Sequence, residues 1–185
     1  MQTKDEVRSS LKLQAKQFLP SSFLLEDKAS VESLLKSTAY AQCTTVFAFS
    51  PLASEVDISS VLKDALMHKR LALPRCIGDT LEFFFVTEGW DDTAKPSGLG
   101  VLEPLGGKTA IPDEYSLILV PAMAYTTDGV RLGRGKGYYD RFLGQYTTTP
   151  TLGICRRYQL LEYIPTELWD IRVREVLCNG VIYRT

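Results

Sequence analysis

No two cysteines in this sequence stand at C-x-x-C spacing, and its 185 residues include a single histidine. Cys43, Cys76, Cys155 and Cys178 are scattered along the chain, which speaks against a zinc knuckle or a redox pair and for reduced thiols that pack. His68 stands beside Lys69 and Arg70 in a helical stretch and reads as an exposed imidazole outside any catalytic role. No apolar run approaches the roughly 20 residues of a bilayer span. The opening Met1-Gln2-Thr3-Lys4-Asp5-Glu6 lacks the charged-then-apolar pattern of an export signal, so a cytoplasmic protein with no membrane partner is expected. Charge of one sign is missing too: 21 Lys and Arg face 22 Asp and Glu, for a net charge of -1. That balance offers nucleic acid no long-range attraction, and any anion site must be local. Repeats and low-complexity segments are absent, and 45% hydrophobic residues suit one domain over residues 1–185, expected as a monomer.

What is present alternates between two periods. Val7, Leu11, Ala15 and Phe18 recur at helical steps across Lys4 to Phe18, placing Lys4 and Arg8 on one face. A second helix is expected with Ser30 as its cap, ahead of Val31, Leu34 and Leu35. Thr44 to Phe49 reads as a buried strand, Ser59 to Lys69 as a helix, and Leu71 to Leu73 as a strand that stops at Pro74. Leu81 to Val86, Ser116 to Val120, Thr151 to Ile154 and Val181 to Tyr183 supply further strands, and Thr87 to Asp113 reads as a surface excursion. This alternation predicts an α/β fold, a three-layer α/β/α domain with a mainly parallel sheet. Ligands of such folds gather beyond the carboxyl ends of the strands.

Directly after the strand Ser116 to Val120 comes the most informative stretch, in which Gly133, Gly135 and Gly137 alternate with Arg134 and Lys136. Glycines let the backbone curl with convergent N–H groups while two cations project from the same loop, which makes a polyphosphate cradle. Tyr138 to Leu143 then opens a helix, whose first N–H groups add donors. Asp140 would repel a bound phosphate unless a divalent cation lies between, so it fits as a ligand to magnesium carried by ATP. A Walker A loop is excluded by Val130 and Gly137, and the dinucleotide pattern G-x-G-x-x-G by Tyr138. A merely solvated basic loop would need neither two tyrosines and an aspartate at its exit nor a buried strand before it.

The run from Gly129 through Gly133, Gly135 and Gly137 to Asp140 resembles the signature of the 5-formyltetrahydrofolate cyclo-ligase family. Lys4 with Arg8, Glu55 after the first strand, Leu73-Pro74 and Gly100 to Pro104 extend the resemblance along most of the chain. It implies ATP- and magnesium-dependent conversion of 5-formyltetrahydrofolate to 5,10-methenyltetrahydrofolate with release of ADP and phosphate. By the same resemblance, ATP is bound by Lys4, Arg8, Arg131, Leu132, Gly133, Arg134, Gly135, Lys136, Gly137, Tyr138 and Tyr139. Glu55 and the stretch Arg134, Gly135, Lys136, Gly137 and Tyr138 would meet the folate, while Asp140 and Asp170 would hold magnesium. Arg134 and Lys136 are the expected catalytic residues, as stabilisers of charge on the transferring phosphoryl group. Met123, Tyr125, Thr126 and Arg174 depart from the family's usual residues. Trp90 and Trp169 are candidate partners for a pterin ring, whereas Phe83 to Phe85 read as core. Two other readings compete: a sugar-phosphate isomerase or acyl-CoA transferase on a similar scaffold, and an RNA-binding protein gripping through Arg131, Arg134, Lys136 and Arg141.

Overall fold

The computed structural model describes residues 2–98 and 100–185; Met1, at the head of the N-terminal pattern, and Leu99, inside the 87–113 excursion, lie outside the described residues. Helices are α1 (Lys4–Ala15), α2 (Leu24–Lys36), α3 (Thr38–Gln42), α4 (Ser59–His68), α5 (Trp90–Thr93) and α6 (Tyr138–Leu143). Strands are β1 (Thr45–Phe47), β2 (Arg70–Ile77), β3 (Thr80–Val86), β4 (Lys95–Pro96), β5 (Leu102–Glu103) and β6 (Thr109–Ala110). They continue as β7 (Ser116–Val120), β8 (Ala124–Tyr125), β9 (Arg131–Leu132), β10 (Thr151–Cys155), β11 (Glu175–Cys178) and β12 (Val181–Arg184).

Eight strands form one sheet in the order β12-β11-β10-β7-β1-β2-β3-β6. The five from β11 to β2 are parallel, and antiparallel β12, β3 and β6 flank them, giving the α/β architecture that the alternation predicted. Period-two burial sorts the strands' side chains. Val46, Leu71, Leu73, Leu117, Leu119, Leu152, Ile154 and Leu177 face α2, α3 and α4, which contribute Leu34, Tyr40, Val61 and Ala65. Phe47, Ala72, Ile118, Val120, Cys155, Val176 and Cys178 face the other way, onto Phe142 and Leu143 of α6. A third cluster seats Val7 and Leu11 of α1 on Met123, Ala124, Val130, Leu132 and Ile164, so α1 covers the β8–β9 hairpin. Strand order reverses between β1 and β7: the chain leaves β1 for β2 on one side and returns to β7 on the other. The crevice beyond these carboxyl ends is therefore where a ligand fits.

Several sequence expectations are corrected. Helix α1 ends at Ala15, before Phe18, because the Phe18 ring packs on Phe23 and Tyr158, with centroids 5.2 and 5.3 Å away. Ser30 is not a cap: α2 starts at Leu24, and buried Ser30 accepts a hydrogen bond from the Gly180 N–H at 3.3 Å. Strand β2 continues through Pro74 to Ile77 and pairs with β3. Proline is tolerated there because β1 pairs only as far as Ala72, so no partner strand waits for the missing N–H. The excursion 87–113 carries α5, the β4–β5 pair and the edge strand β6. The β8–β9 hairpin and β11 were not legible as strands.

His68 is exposed and bonds within α4, to Asp64. All four cysteines are free thiols. Tyr125, fully buried, lays its ring where a Gly153 side chain would stand and donates its hydroxyl to the Val120 carbonyl at 2.5 Å. A Cβ at Gly153 would meet that ring at 2.4 Å. Gly153→Ala is expected to cost about 1–3 kcal/mol, as overpacked cores do, measured by urea unfolding; an unchanged midpoint would show that the ring moves freely.

Candidate functional site

A cavity of about 830 Å³ opens at the reversal point, floored by the ends of β1, β2 and β7 and walled by α1, the Gly loop and the 165–170 segment. Every site residue expected from the sequence lines it: Lys4, Arg8, Glu55, the whole run Arg131 to Asp140, and Asp170. They converge from both ends of the chain because α1, capped by reciprocal Thr3 and Glu6 hydrogen bonds, lies across the β8–β9 hairpin.

The cations are held by carboxylates. Lys4 Nζ donates to Asp170 Oδ2 at 2.6 Å and Oδ1 at 2.8 Å, and to Glu167 Oε2 at 2.8 Å. Partial burial alone would lower the Lys4 pKa, but Asp170 and then Glu167 outweigh it and hold the ammonium above its ordinary range. Arg8 donates from Nε to the Gly133 carbonyl at 2.9 Å and pairs with Asp5 at 2.5 Å, which ties α1 to the Gly loop. Arg134 Nη2 meets Glu55 Oε1 at 2.8 Å, and the other Glu55 oxygen accepts the Leu52 N–H at 3.0 Å. Lys136 is exposed and makes no ion pair among the described residues.

Arg131 is the most deeply set cation, its side chain only 3% exposed, with Nη2 on Asp140 Oδ1. That oxygen also accepts the Ile171 N–H at 3.1 Å, while Asp140 Oδ2 accepts no hydrogen bond from the described residues. The Arg131 Nε–H and the Tyr139 hydroxyl are buried and find no hydrogen-bond partner among the described residues. Burial, reinforced by the Glu55 charge, pushes the Tyr139 pKa up and keeps it a donor. Unsatisfied buried donors are costly, and both residues line the cavity.

The loop geometry needs its glycines at two places. Gly135 and Gly137 have φ of 94° and 67°, the left-handed region, and Gly137 immediately precedes α6. Helix α6 has six residues, so the convergent loop, more than a long helix dipole, supplies N–H groups. Arg141 fixes the loop from outside: it donates to the Lys136 carbonyl at 3.0 Å and to the Asp79 carbonyl at 2.7 and 3.1 Å. The Tyr138 hydroxyl donates to the Gly78 carbonyl at 3.0 Å, which ties the loop to the β2–β3 turn.

With this arrangement established, comparison with known proteins is decisive. A model of the 5-formyltetrahydrofolate cyclo-ligase family matches residues 1–179. The chain belongs to that family. It is thereby a ligase of folate metabolism. It is 26% identical over 142 residues to 5-formyltetrahydrofolate cyclo-ligase of Haemophilus influenzae, covering 74% of this chain and 76% of that one. It is 25% identical over 194 residues to the probable 5-formyltetrahydrofolate cyclo-ligase of Caenorhabditis elegans, covering 97% and 94%. Its fold matches the solution structure of Aquifex aeolicus 5,10-methenyltetrahydrofolate synthetase with a TM-score of 0.85, at 25% identity, over 98% of this chain and 92% of that one.

Within this cyclo-ligase the departures from the family's usual residues are absorbed locally. Tyr125 fills the core, Thr126 donates to Asp128 at 2.5 Å, and Arg174 donates to the Thr147 carbonyl at 2.8 Å, outside the cavity lining. Trp169 lines the cavity and stands 65% exposed, whereas Trp90 packs half-buried against the core and is not part of the cavity lining. Of Phe83 to Phe85, expected as core, Phe83 and Phe84 are buried and Phe85 packs half-buried against the core. Glu167 and Asp5, which neutralise Lys4 and Arg8, were missed; the only signal for Asp5 was its i,i+3 spacing to Arg8.

Because the Lys4 pKa is raised on folding, its stabilisation is complete below the ordinary lysine pKa and is lost as pH rises through the folded value. Lys4→Met is expected to cost about 1 kcal/mol at neutral pH. In urea titrations the gap to wild type should hold through neutrality and close in strong alkali; a gap that widens with pH would refute the pairing.

Proposed function

We propose that this chain catalyses the ATP- and magnesium-dependent conversion of 5-formyltetrahydrofolate to 5,10-methenyltetrahydrofolate, releasing ADP and phosphate. The observation that carries this reading is the convergence, in one cavity, of a left-handed glycine loop, the cations Lys4, Arg8, Arg131, Arg134 and Lys136, and the carboxylate of Glu55. An 830 Å³ space is at the upper end for a single-ligand pocket, which suits two substrates side by side. The near-neutral charge leaves RNA without a basic stripe, and family membership favours the ligase over a phosphate-ester isomerase or an acyl-CoA transferase. We read the protein as a one-domain cytoplasmic monomer without nucleic-acid or membrane partners; no helix among the described residues is long and apolar enough to cross a membrane.

The chemistry turns a poor leaving group into a good one. The formyl oxygen attacks the γ-phosphorus and ADP departs, leaving an N5 phospho-imidate. N10 then adds to the activated carbon, loses its proton, and phosphate leaves with the former formyl oxygen. No enzyme nucleophile is needed, so the protein's task is alignment and charge neutralisation. Arg134 and Lys136 stabilise charge spreading over the transferring phosphoryl group. Gly133 to Tyr139, with Lys4, Arg8 and Arg131, hold the triphosphate, and Glu55 orients the folate together with Arg134 to Tyr138.

Asp140 fits magnesium through Oδ2, the oxygen left without a donor. Asp170 fits as a second ligand only if Lys4, which occupies both its oxygens, exchanges it for phosphate. A hard cation held by these carboxylates would supply further neutralisation of phosphate charge beside Arg131.

Mixing protein, magnesium, ATP and 5-formyltetrahydrofolate should generate the methenyl chromophore, and omitting ATP should abolish it; a signal without ATP would overturn the proposal. Arg134→Ala and Lys136→Ala are each expected to lower turnover roughly a hundredfold or more, the scale for a lost preorganised charge stabiliser. Near wild-type rates would remove them from the chemistry. Asp140→Asn should raise the magnesium concentration for half-maximal rate, and an unchanged titration would exclude Asp140 as a ligand.

A further inference from the structure

Glu55 sits in the irregular segment between β1 and α4, yet it is only 7% exposed, and something must hold so unstructured a loop still. The turn itself closes on Leu52, whose carbonyl accepts the Glu55 N–H at 2.8 Å and whose N–H donates to Glu55 Oε2 at 3.0 Å. The remaining anchors come from behind, from residues that take no part in the cavity lining.

Arg156, at the end of β10 and 5% exposed, donates from Nη1 to the Ala53 carbonyl at 3.1 Å. Gln159, 4% exposed, donates from Nε2 to the Ser54 carbonyl at 3.4 Å, and the Tyr158 hydroxyl reaches the same carbonyl at 3.3 Å. On the far side of Glu55, the Asp57 N–H donates to Asp27 Oδ2 at 3.0 Å. Residues 53, 54 and 57 are thus pinned, and Glu55 lies between the pins, next to Ser54.

The pins share one frame. Asp27 of α2 grips Arg156 with two oxygens, at 2.9 Å to Nε and 2.8 Å to Nη2, and the guanidinium lies 4.1 Å from the centroid of the Phe23 ring. Gln159 Oε1 accepts the Arg156 N–H at 3.0 Å, and Gln159 Nε2 also donates to the Met123 carbonyl at 3.2 Å. The Met123 N–H in turn donates to the Leu132 carbonyl at 2.8 Å, one residue before the Gly loop. The backbone beneath Glu55 and the hairpin beneath Arg134 therefore hang on the same buried side chains.

An apolar pair would fill the Asp27–Arg156 space at least as stably, because desolvating two charges offsets most of their attraction. What an apolar pair lacks is a planar fork with an N–H left over for a loop carbonyl. We propose that Asp27, Arg156 and Gln159 form a positioning device for Glu55, fixing the carboxylate that receives the folate without touching either substrate. The proposal rests on Glu55 being the folate-binding carboxylate.

Steady-state kinetics on Glu55→Gln, Arg156→Met, Arg156→Lys and the double variant Asp27→Leu/Arg156→Met, each with its thermal midpoint, test it. Arg156→Met is expected to raise the KM for 5-formyltetrahydrofolate roughly tenfold or more, as an ångström-scale misplacement does, and to change the KM for ATP much less, because Arg156 bonds the Glu55 loop directly and reaches the hairpin only through Gln159. Arg156→Lys, which keeps the charge and loses the fork, should recover only part. The double variant should regain the thermal midpoint and keep the raised folate KM, which a purely structural role would not do. If Glu55→Gln raises the folate KM and Arg156→Met does not, or if the double variant restores KM together with stability, the device is refuted while the role of Glu55 stands. If Glu55→Gln leaves the folate KM unchanged, the reading of Glu55 falls and the device falls with it.

Discussion

Five cationic side chains crowd one cavity, and mutual repulsion would drive them apart if the fold did not set a carboxylate against all but one. Lys4 rests on Asp170 and Glu167, Arg8 on Asp5, Arg131 on Asp140 and Arg134 on Glu55. These pairs add little net stability where they meet solvent. Their value is that they let positive charge be assembled in one place, so that an anion entering the cavity would find donors already aimed. Lys136, exposed and unpaired among the described residues, is the exception, the cation with nothing to release.

The same pairing ties the ends of the chain to its middle. Lys4 and Arg8 lie within the first three turns of α1, yet their partners sit at Asp170 and at the Gly133 carbonyl. Seating Val7 and Leu11 on the β8–β9 hairpin brings them there, so a small apolar cluster, separate from the two that sandwich the sheet, sets the shape of the polar site. The sheet's contribution is the reversal between β1 and β7, which leaves a crevice where carboxyl ends diverge. Into that crevice the hairpin delivers the glycine loop, and behind it Asp27 and Arg156 steady the loop that carries Glu55.

Legibility followed the range of the interactions. The strand Ser116–Val120 was read to the residue and the start of the helix at Tyr138 was placed correctly, because an apolar run and a glycine before a helix are local signals. The hairpin Ala124–Tyr125/Arg131–Leu132 and the strand Glu175–Cys178 were not, since short segments with charged or polar flanks become strands only when a neighbour offers a hydrogen-bonding edge. Ser30 misled for a similar reason: a serine that looks like a cap is claimed in the fold by a backbone N–H 150 positions away.

From the sequence alone came the layered α/β class and the glycine loop with its alternating cations, because periodicity and motif spacing are written along the chain; the grouping of Lys4, Arg8, Glu55 and Asp170 with that loop came from the resemblance to the family. Tertiary structure alone decided which carboxylate neutralises which cation, that Asp140 keeps one oxygen undonated while Asp170 has both oxygens on Lys4, and that Asp27 reaches Arg156 across the fold. Those are questions of distance between residues far apart in sequence, and distance of that kind is fixed only when the sheet twists, the helices pack and the loops close.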